Sequence, residues 1–362
     1  MFHEFIFPSQ SGFFLILVPG FLYLATVSPT IDHGDSPEFA DTAFTLGISH
    51  PAGFPTYNLL VKAITFVPLG SIAFRVNLAS AIFACLTLVC LYWTGFLILR
   101  LLYPGADEAG FFWPSILPAG FLAVSFPFWL HSLIAEVYTL HAFFVCVMIL
   151  LMVLWKQKVD VRYLYAMALV FGLSAGNHAT VALFLPAVLA LFFFWNREYK
   201  ARNLSVSIIF FLVGFSVYAY LPIRSMAEPS FDWGNPETVE GFLYQVTDRK
   251  DAETHFSYFR EDRQPADDSF SPGEWLTSKL IHTSHLAWRV CKDLTIHLSL
   301  VSVAGLLAGG FFCFKRNLPL FSFFLLLAGF NVAFFATWQK ESFFPTYIVV
   351  SLLTTIYSTG CF

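Results

Sequence analysis

Charge is what this sequence has least of. Asp, Glu, Lys and Arg together make up 12% of its 362 residues, against about 25% in an ordinary soluble domain. A soluble chain of this size would lack the polar residues to clothe its surface. The net charge of -4 is small and leaves no basic footprint for a nucleic acid. Six cysteines (Cys85, Cys90, Cys146, Cys291, Cys313 and Cys361) are scattered without metal-ligand spacing and read as small buried hydrophobes. The N-terminus shows neither the basic n-region nor the small-residue cleavage site of a secretory signal, so its apolar run is expected to stay as a helix. No phosphate-cradling glycine loop, zinc signature, nucleophile elbow or Rossmann fingerprint occurs, and no repeat of about 20–50 residues is visible.

What is there instead is apolar. Hydrophobic residues make up 57% and aromatic residues 19%, with 45 Phe. A hydrocarbon core roughly 30 Å thick takes about 20 apolar residues to cross as a helix, and such runs recur along the chain. The expectation is an all-α polytopic membrane protein with ten spans, at 13–27, 72–102, 111–130, 138–155, 163–173, 180–195, 204–221, 296–314, 318–338 and 343–357. The run 54–67 is shorter, is bounded by Pro55 and Pro68 and contains Lys62, so it reads as a helix on the membrane surface. Three regions follow: an N-terminal transmembrane module at 1–221, a net-acidic polar insert at 222–294, and closing helices at 295–362. In the insert Trp233, Phe242, Tyr244, Trp275 and Trp288 could supply a small core.

Lys and Arg orient the bundle, because short cytoplasmic loops collect them. Arg100, then Lys156, Lys158 and Arg162, then Arg197, Lys200 and Arg202, then Lys315 and Arg316 mark four loops that ten spans place on one side. The loop at 28–55, the turns at 131–137 and 174–179 and the insert then share the opposite, exoplasmic side.

That side holds the scarce charge. Residues 32–50 carry Asp32, Asp35, Glu38 and Asp41 with His33 and His50. Asp35 and Glu38 share a face if a helix begins here. Asp-x-x-Glu is also a capping-box pattern, but Ser36 at the N-cap with Pro37 next offers a better start. Asp35 would then be free to act as a base outside the helix. In His50-Pro51-Ala52-Gly53-Phe54-Pro55 two prolines flank a glycine, which either holds an imidazole in place or simply leads into the next helix. Glu136 and Tyr138 stand at the edge of a span beside His131 and His141, and an acid at membrane depth is functional, paired, or a helix cap. Asn177 and His178 lie in a tight turn, as ligands or caps. Arg224 emerges on the same side, where it either grips a phosphate bidentately or snorkels to headgroups.

Gly34-Asp35-Ser36-Pro37-Glu38-Phe39 and Leu46-Gly47-Ile48-Ser49-His50-Pro51-Ala52-Gly53-Phe54-Pro55 resemble the Asp-x-Gly-Glu-Phe … Leu-Gly-x-x-His-Pro-Pro-Gly-x-Pro signature of a bacterial family of multispanning proteins. That family is related to the eukaryotic protein O-mannosyltransferase acting on plexin-type receptor domains. The similarity continues through Arg75-Val76-Asn77, Ala135-Glu136-Val137-Tyr138, Gly172-Leu173-Ser174 with His178, and Tyr220-Leu221-Pro222-Ile223-Arg224. Pro37 and Ala52 depart from the signature without removing a reactive group.

The resemblance implies a GT-C glycosyltransferase in a bacterial inner membrane, with its active site on the periplasmic face. It would move a mannose-like hexose from a polyprenyl phosphate to a hydroxyl of a protein or glycan, with inversion. Asp35 and Glu38 would be catalytic, and His50, Glu136, Tyr138, His178 and Arg224 would bind substrate. No metal ligand set or cofactor is assigned beyond that lipid-phosphate-linked donor. The partners implied are the donor, the acceptor and the bilayer. The rival class is a transporter or flippase whose intramembrane acids form a path.

Overall fold

The structure is a computed structural model that describes residues 11–195, 201–247, 292, 303–338 and 344–359. Among the described residues the chain is helical, and its only strand-like pairing is a single parallel bridge between Ile48 and Asp232. The spine is a pair of long apolar helices, α4 (Ile72–Leu102) and α7 (Tyr138–Lys158), packed side by side. Their facing residues, among them Ala84, Leu88, Leu91, Val145 and Ile149, form one continuous core. α4 starts where Ser71 accepts the Phe74 N–H at 3.1 Å, an ordinary N-cap.

Before α4 come α1 (Ser11–Thr26), then α2 (Ser36–Thr45) and α3 (Pro55–Thr65). The sequence places the last two as short helices, and each opens on a proline at its first turn. After α4 the chain makes α5 (Phe112–Val124) and α6 (Phe126–Leu133), bent by 64° against each other. The expected third span is therefore broken. Pro127 lacks an N–H, and its ring excludes the carbonyl four residues back, so the helix stops and restarts around Ser125.

α8 (Val161–Ala175) is followed by a 3-10 turn at Ala179–Phe184 and by α9 (Leu185–Trp195). α10 (Ala201–Phe215) crosses α8 with Gly172 against Gly214. It continues through a 3-10 turn into α11 (Tyr220–Ser225), and α12 (Val239–Val246) begins the insert. Helical residues 303–316 make α13, and α14 (Leu318–Trp338) and α15 (Phe344–Thr359) follow.

Among the described residues three helices are long and apolar enough to cross a membrane: Ile72–Leu102, Tyr138–Lys158 and Arg202–Ser225. The bent α5–α6 pair would make four. Leu17–Thr26, Val161–Ala175, Ala179–Ala190, Leu318–Phe334 and Thr346–Tyr357 are apolar stretches of 10–17 residues, and the ten spans expected are not reached on length and composition among the described residues. The expected eighth span lies partly outside the described residues, as do Trp275 and Trp288 of the proposed insert core.

Candidate active site

The site is built on α2 and the turn that follows it. α2 starts at Ser36 with Asp35 in the N-cap position, but the Asp35 side chain makes no cap hydrogen bond. Ser36, expected to be the cap, is buried with its Oγ unbonded. The helix instead relies on Pro37 and its αL end at Leu46. Asp35 is left exposed, its carboxylate unclaimed by the helix it precedes.

Glu38, one turn on, reaches across to the second motif. Its Oε1 accepts the His50 backbone N–H at 2.6 Å and lies 3.0 Å from His50 Nδ1. The other ring nitrogen, Nε2, is 3.8 Å from Asp35 Oδ2, an ion contact rather than a hydrogen bond. The turn that carries His50 is locked beneath. Thr42 Oγ1 sits 2.9 Å from Ser49 Oγ, Asn58 Nδ2 donates to Ser49 Oγ at 3.2 Å, and all three residues are fully buried. Gly53 closes the turn at φ +75, where a Cβ would strike Leu221 at 2.8 Å. Phe54 and Phe39 rings flank the imidazole at 5.0 and 5.8 Å.

The start of the insert packs on this turn. Ile48 N–H donates to Phe231 O at 2.8 Å, and Trp233 N–H to Ile48 O at 3.3 Å. Gln245 of α12 lies buried beside Ser49 and Trp233.

Glu136 comes up from the α6–α7 connection on the other side of Asp35. It is 7% exposed. Burial, then the nearby Asp35 charge, pushes this carboxyl up to about 8, so it is neutral at neutral pH. Next to it Tyr138 lies between two imidazoles, 4.6 Å from His131 and 5.7 Å from His178. His178 Nδ1 faces Thr180 Oγ1 at 2.7 Å and accepts the Thr180 N–H at 3.3 Å, so it caps the 3-10 turn that it precedes. His141, a turn into α7, stacks on His178 at 4.9 Å with neither ring nitrogen hydrogen-bonded.

Arg224 bonds the backbone. Its Nε donates to Leu46 O at 2.8 Å and its Nη2 to Thr45 O at 3.4 Å, which ties the guanidinium to the C-terminus of α2. At 1.5 Å per residue that end is about 15 Å from Asp35. Two other cations on this face are engaged in the same way. Arg75 donates to the carbonyls of Thr65, Leu69 and Gly70, and Lys62 to that of Phe44.

The structure therefore brings Asp35, Glu38, His50 and Glu136 together, groups Tyr138 with His178, and leaves Arg224 apart. Among the described residues Asp35, Glu38 and His50 form the one group whose ligand-type atoms, within 4.8 Å of one another, could hold a metal ion. Their mutual ion contacts account for the same closeness.

Sequence reasoning missed Asn77. Its Nδ2 donates to Ser28 O at 2.9 Å and Thr30 O at 2.8 Å, while its Oδ1 accepts the Ala135 N–H at 2.8 Å. A fully buried amide in an apolar helix was the available signal.

Comparison with known proteins starts at Asp35 itself. Residues 35–203 match the family described as "Protein O-mannosyl-transferase TMEM260 N-terminal domain". Over 252 residues the chain is 30% identical to the Protein O-mannosyl-transferase TMEM260 of Mus musculus, covering 67% of this chain and 32% of that one. It is 24% identical over 244 residues to the Dictyostelium discoideum counterpart, covering 61% and 28%. The chain thus spans about a third of the length of the curated relatives it matches. The crystal structure of an Archaeoglobus fulgidus oligosaccharyltransferase in its apo form superposes with a TM-score of 0.52 over 98% of this chain and 50% of that one. At 12% identity the superposition shows the fold alone. Over residues 35–203 the chain is therefore similar to the TMEM260 N-terminal domain family, and it shares the helical fold of that archaeal oligosaccharyltransferase.

Proposed function

We propose that the chain is a membrane glycosyltransferase that moves a hexose, mannose first, from a polyprenyl phosphate to a hydroxyl, with a protein Ser or Thr as the favoured acceptor. One observation carries the chemistry: the Asp35 carboxylate is exposed and uncapped, beside an imidazole that Glu38 holds by both backbone and ring. In a single inverting displacement the acceptor oxygen attacks the anomeric carbon. The bond to the phosphate oxygen breaks and its electrons leave with the phosphate. The acceptor proton goes to Asp35, and a general base at this point is worth about 10²–10⁴ in rate. His50 steadies the Asp35 charge, and Glu38 orients His50. Tyr138 and His178 offer rings and polar tips to a sugar.

A lipid-borne donor is supported by a cavity of ≈ 290 Å³ between α7, α8, α9 and α10. Apolar side chains such as Met148, Met167, Phe171, Phe184 and Ile208 line it. It suits one hydrocarbon tail, in helices apolar enough to face the bilayer. The basic loops support a bacterial inner-membrane orientation with Asp35 on the periplasmic side.

The test is sugar transfer by the purified protein in detergent from a panel of polyprenyl phosphate sugars to hydroxyl acceptors. Turnover of one donor is expected. Absence of transfer from every donor, with the protein folded and the acceptors in excess, would defeat the proposal.

A further inference from the structure

The loop that carries Asp35 is tied down at two points. The first is Asn77 of α4, which bonds the carbonyls of Ser28 and Thr30 at the start of the loop and the Ala135 N–H on the facing connection. The second is Glu136. Gly34 has φ +69, and a Cβ built there would lie 3.3 Å from Glu136 Oε1, so the acid end presses against the residue before Asp35. The backbone of Glu136 is itself pinned to α4, with its N–H on Ser80 Oγ and its carbonyl receiving that hydroxyl, both at 3.4 Å. Between the two ties, residues 31–34 are exposed or half-buried. At 7% exposure Glu136 is almost closed to a sugar-sized ligand.

We propose that Glu136 is a positioning residue for the base: its carboxyl, packed against Gly34, fixes where the Asp35 carboxylate stands beside His50, without touching substrate. This rests on Asp35 as the base and replaces the substrate contact that the sequence suggests for Glu136. The energetic reason is geometric. A misplacement of about 1 Å in a reacting group can cost on the order of 10² in rate, and a loop held only at Ser28 and Thr30 leaves residues 31–35 free to drift. Gly34 is the natural complement, because only a residue without a side chain lets the acid this close.

The experiment compares Glu136→Gln with Glu136→Leu in the full chain in detergent, reading transfer kinetics and backbone hydrogen exchange over residues 28–38. Gln is the near-isostere of the acid and keeps its contact with Gly34, so exchange protection and kcat should stay within about threefold of wild type. Leu puts a branched apolar group in place of the planar polar end against Gly34, so protection should be lost and kcat should fall roughly 10²-fold with donor and acceptor KM unchanged. A Gln variant as inactive as the Leu variant but still protected would overturn the proposal, as would a Leu variant that loses protection at full kcat. A rise in KM at constant kcat would make Glu136 a substrate ligand and equally overturn it. If Glu136→Leu does not fold, Gly34→Ala crowds the same carboxyl, and unchanged kcat and protection there would also refute it. Wild-type turnover by Asp35→Asn would remove the base and this proposal with it. The exchange readout needs no turnover, so a failure of the tie is distinguishable from a failure of the base.

Discussion

Asp35 owes its availability to a small local preference. The residue before a helix opening Ser-Pro sits where a cap would, yet its φ of -87 and ψ of 2 turn the carboxylate away from the first N–H groups. The cost of that vacancy is met by burial around it, chiefly the Thr42, Ser49 and Asn58 network. Asn58→Ala would remove the amide that bonds both Thr42 and Ser49 and leave these buried hydroxyls with only each other, an expected loss of about 1–3 kcal/mol in thermal or denaturant unfolding. Glu136 carries a pH signature. The native chain keeps its proton up to about 8, whereas an unfolded Glu releases it near its ordinary value. Between the two the native state binds more protons, so this group's contribution to stability falls as pH rises through that window. The groups facing it are Asp35, His50 and Tyr57. Glu136→Gln should flatten the decline in Tm between about pH 5 and 8. A slope identical to wild type would show that the acid is not held neutral. The acids and His50 were legible in the sequence because charge is rare here. The roles of Asn77 and Asn58 were not, because the loops and turns that each amide joins are seen together only in the fold.

At the scale of elements, two contacts decide how α2 and α8 sit. Arg224 from α11 holds the carbonyl end of α2, where unbonded C=O groups need donors. Arg224→Ala should therefore lower stability by about 1–3 kcal/mol and leave donor KM unchanged. A donor KM raised about tenfold in a fully stable protein would restore the phosphate clamp. The α8–α10 crossing depends on glycine at both helices. A Cβ on Gly172 would sit 2.3 Å from Phe211 O and 2.6 Å from Phe215 N, and backbone atoms cannot give way as a side-chain tip can. Gly172→Ala should cost on the order of 1–3 kcal/mol through overpacking, measured by unfolding in detergent. A neutral effect would mean that the two helices pack less closely than this. The starts of α2 and α3 were legible from Ser36-Pro37 and from Pro55, since such signals act locally, and that of α4 from its apolar run. The 64° bend at Ser125 was not, because Phe111–Leu130 is apolar but for Ser115 and Ser125 and hydropathy is blind to a missing N–H. The job of Arg224 was hidden for a different reason: its partners lie 178 and 179 residues away.

For the whole molecule, topology and chemistry have to agree. If the basic loops are cytoplasmic, cysteines placed at Asn235 and at Asp107, both exposed, should react with an impermeant reagent from opposite sides of an intact membrane. Labelling of both from the periplasmic side would separate the basic loops from the cytoplasm and break up the shared face. The fold was legible at the level of class, through composition and apolar runs. The count of spans was not, because several helices are shorter than a bilayer is thick and only packing tells whether they cross. The most direct test of the central claim is transfer by Asp35→Asn beside wild type, with Tm measured on the same samples. Asn keeps the shape and any capping ability of Asp but cannot take the acceptor proton. A rate at least about 10²-fold lower at unchanged Tm is the expected result, and wild-type transfer by Asp35→Asn would contradict it.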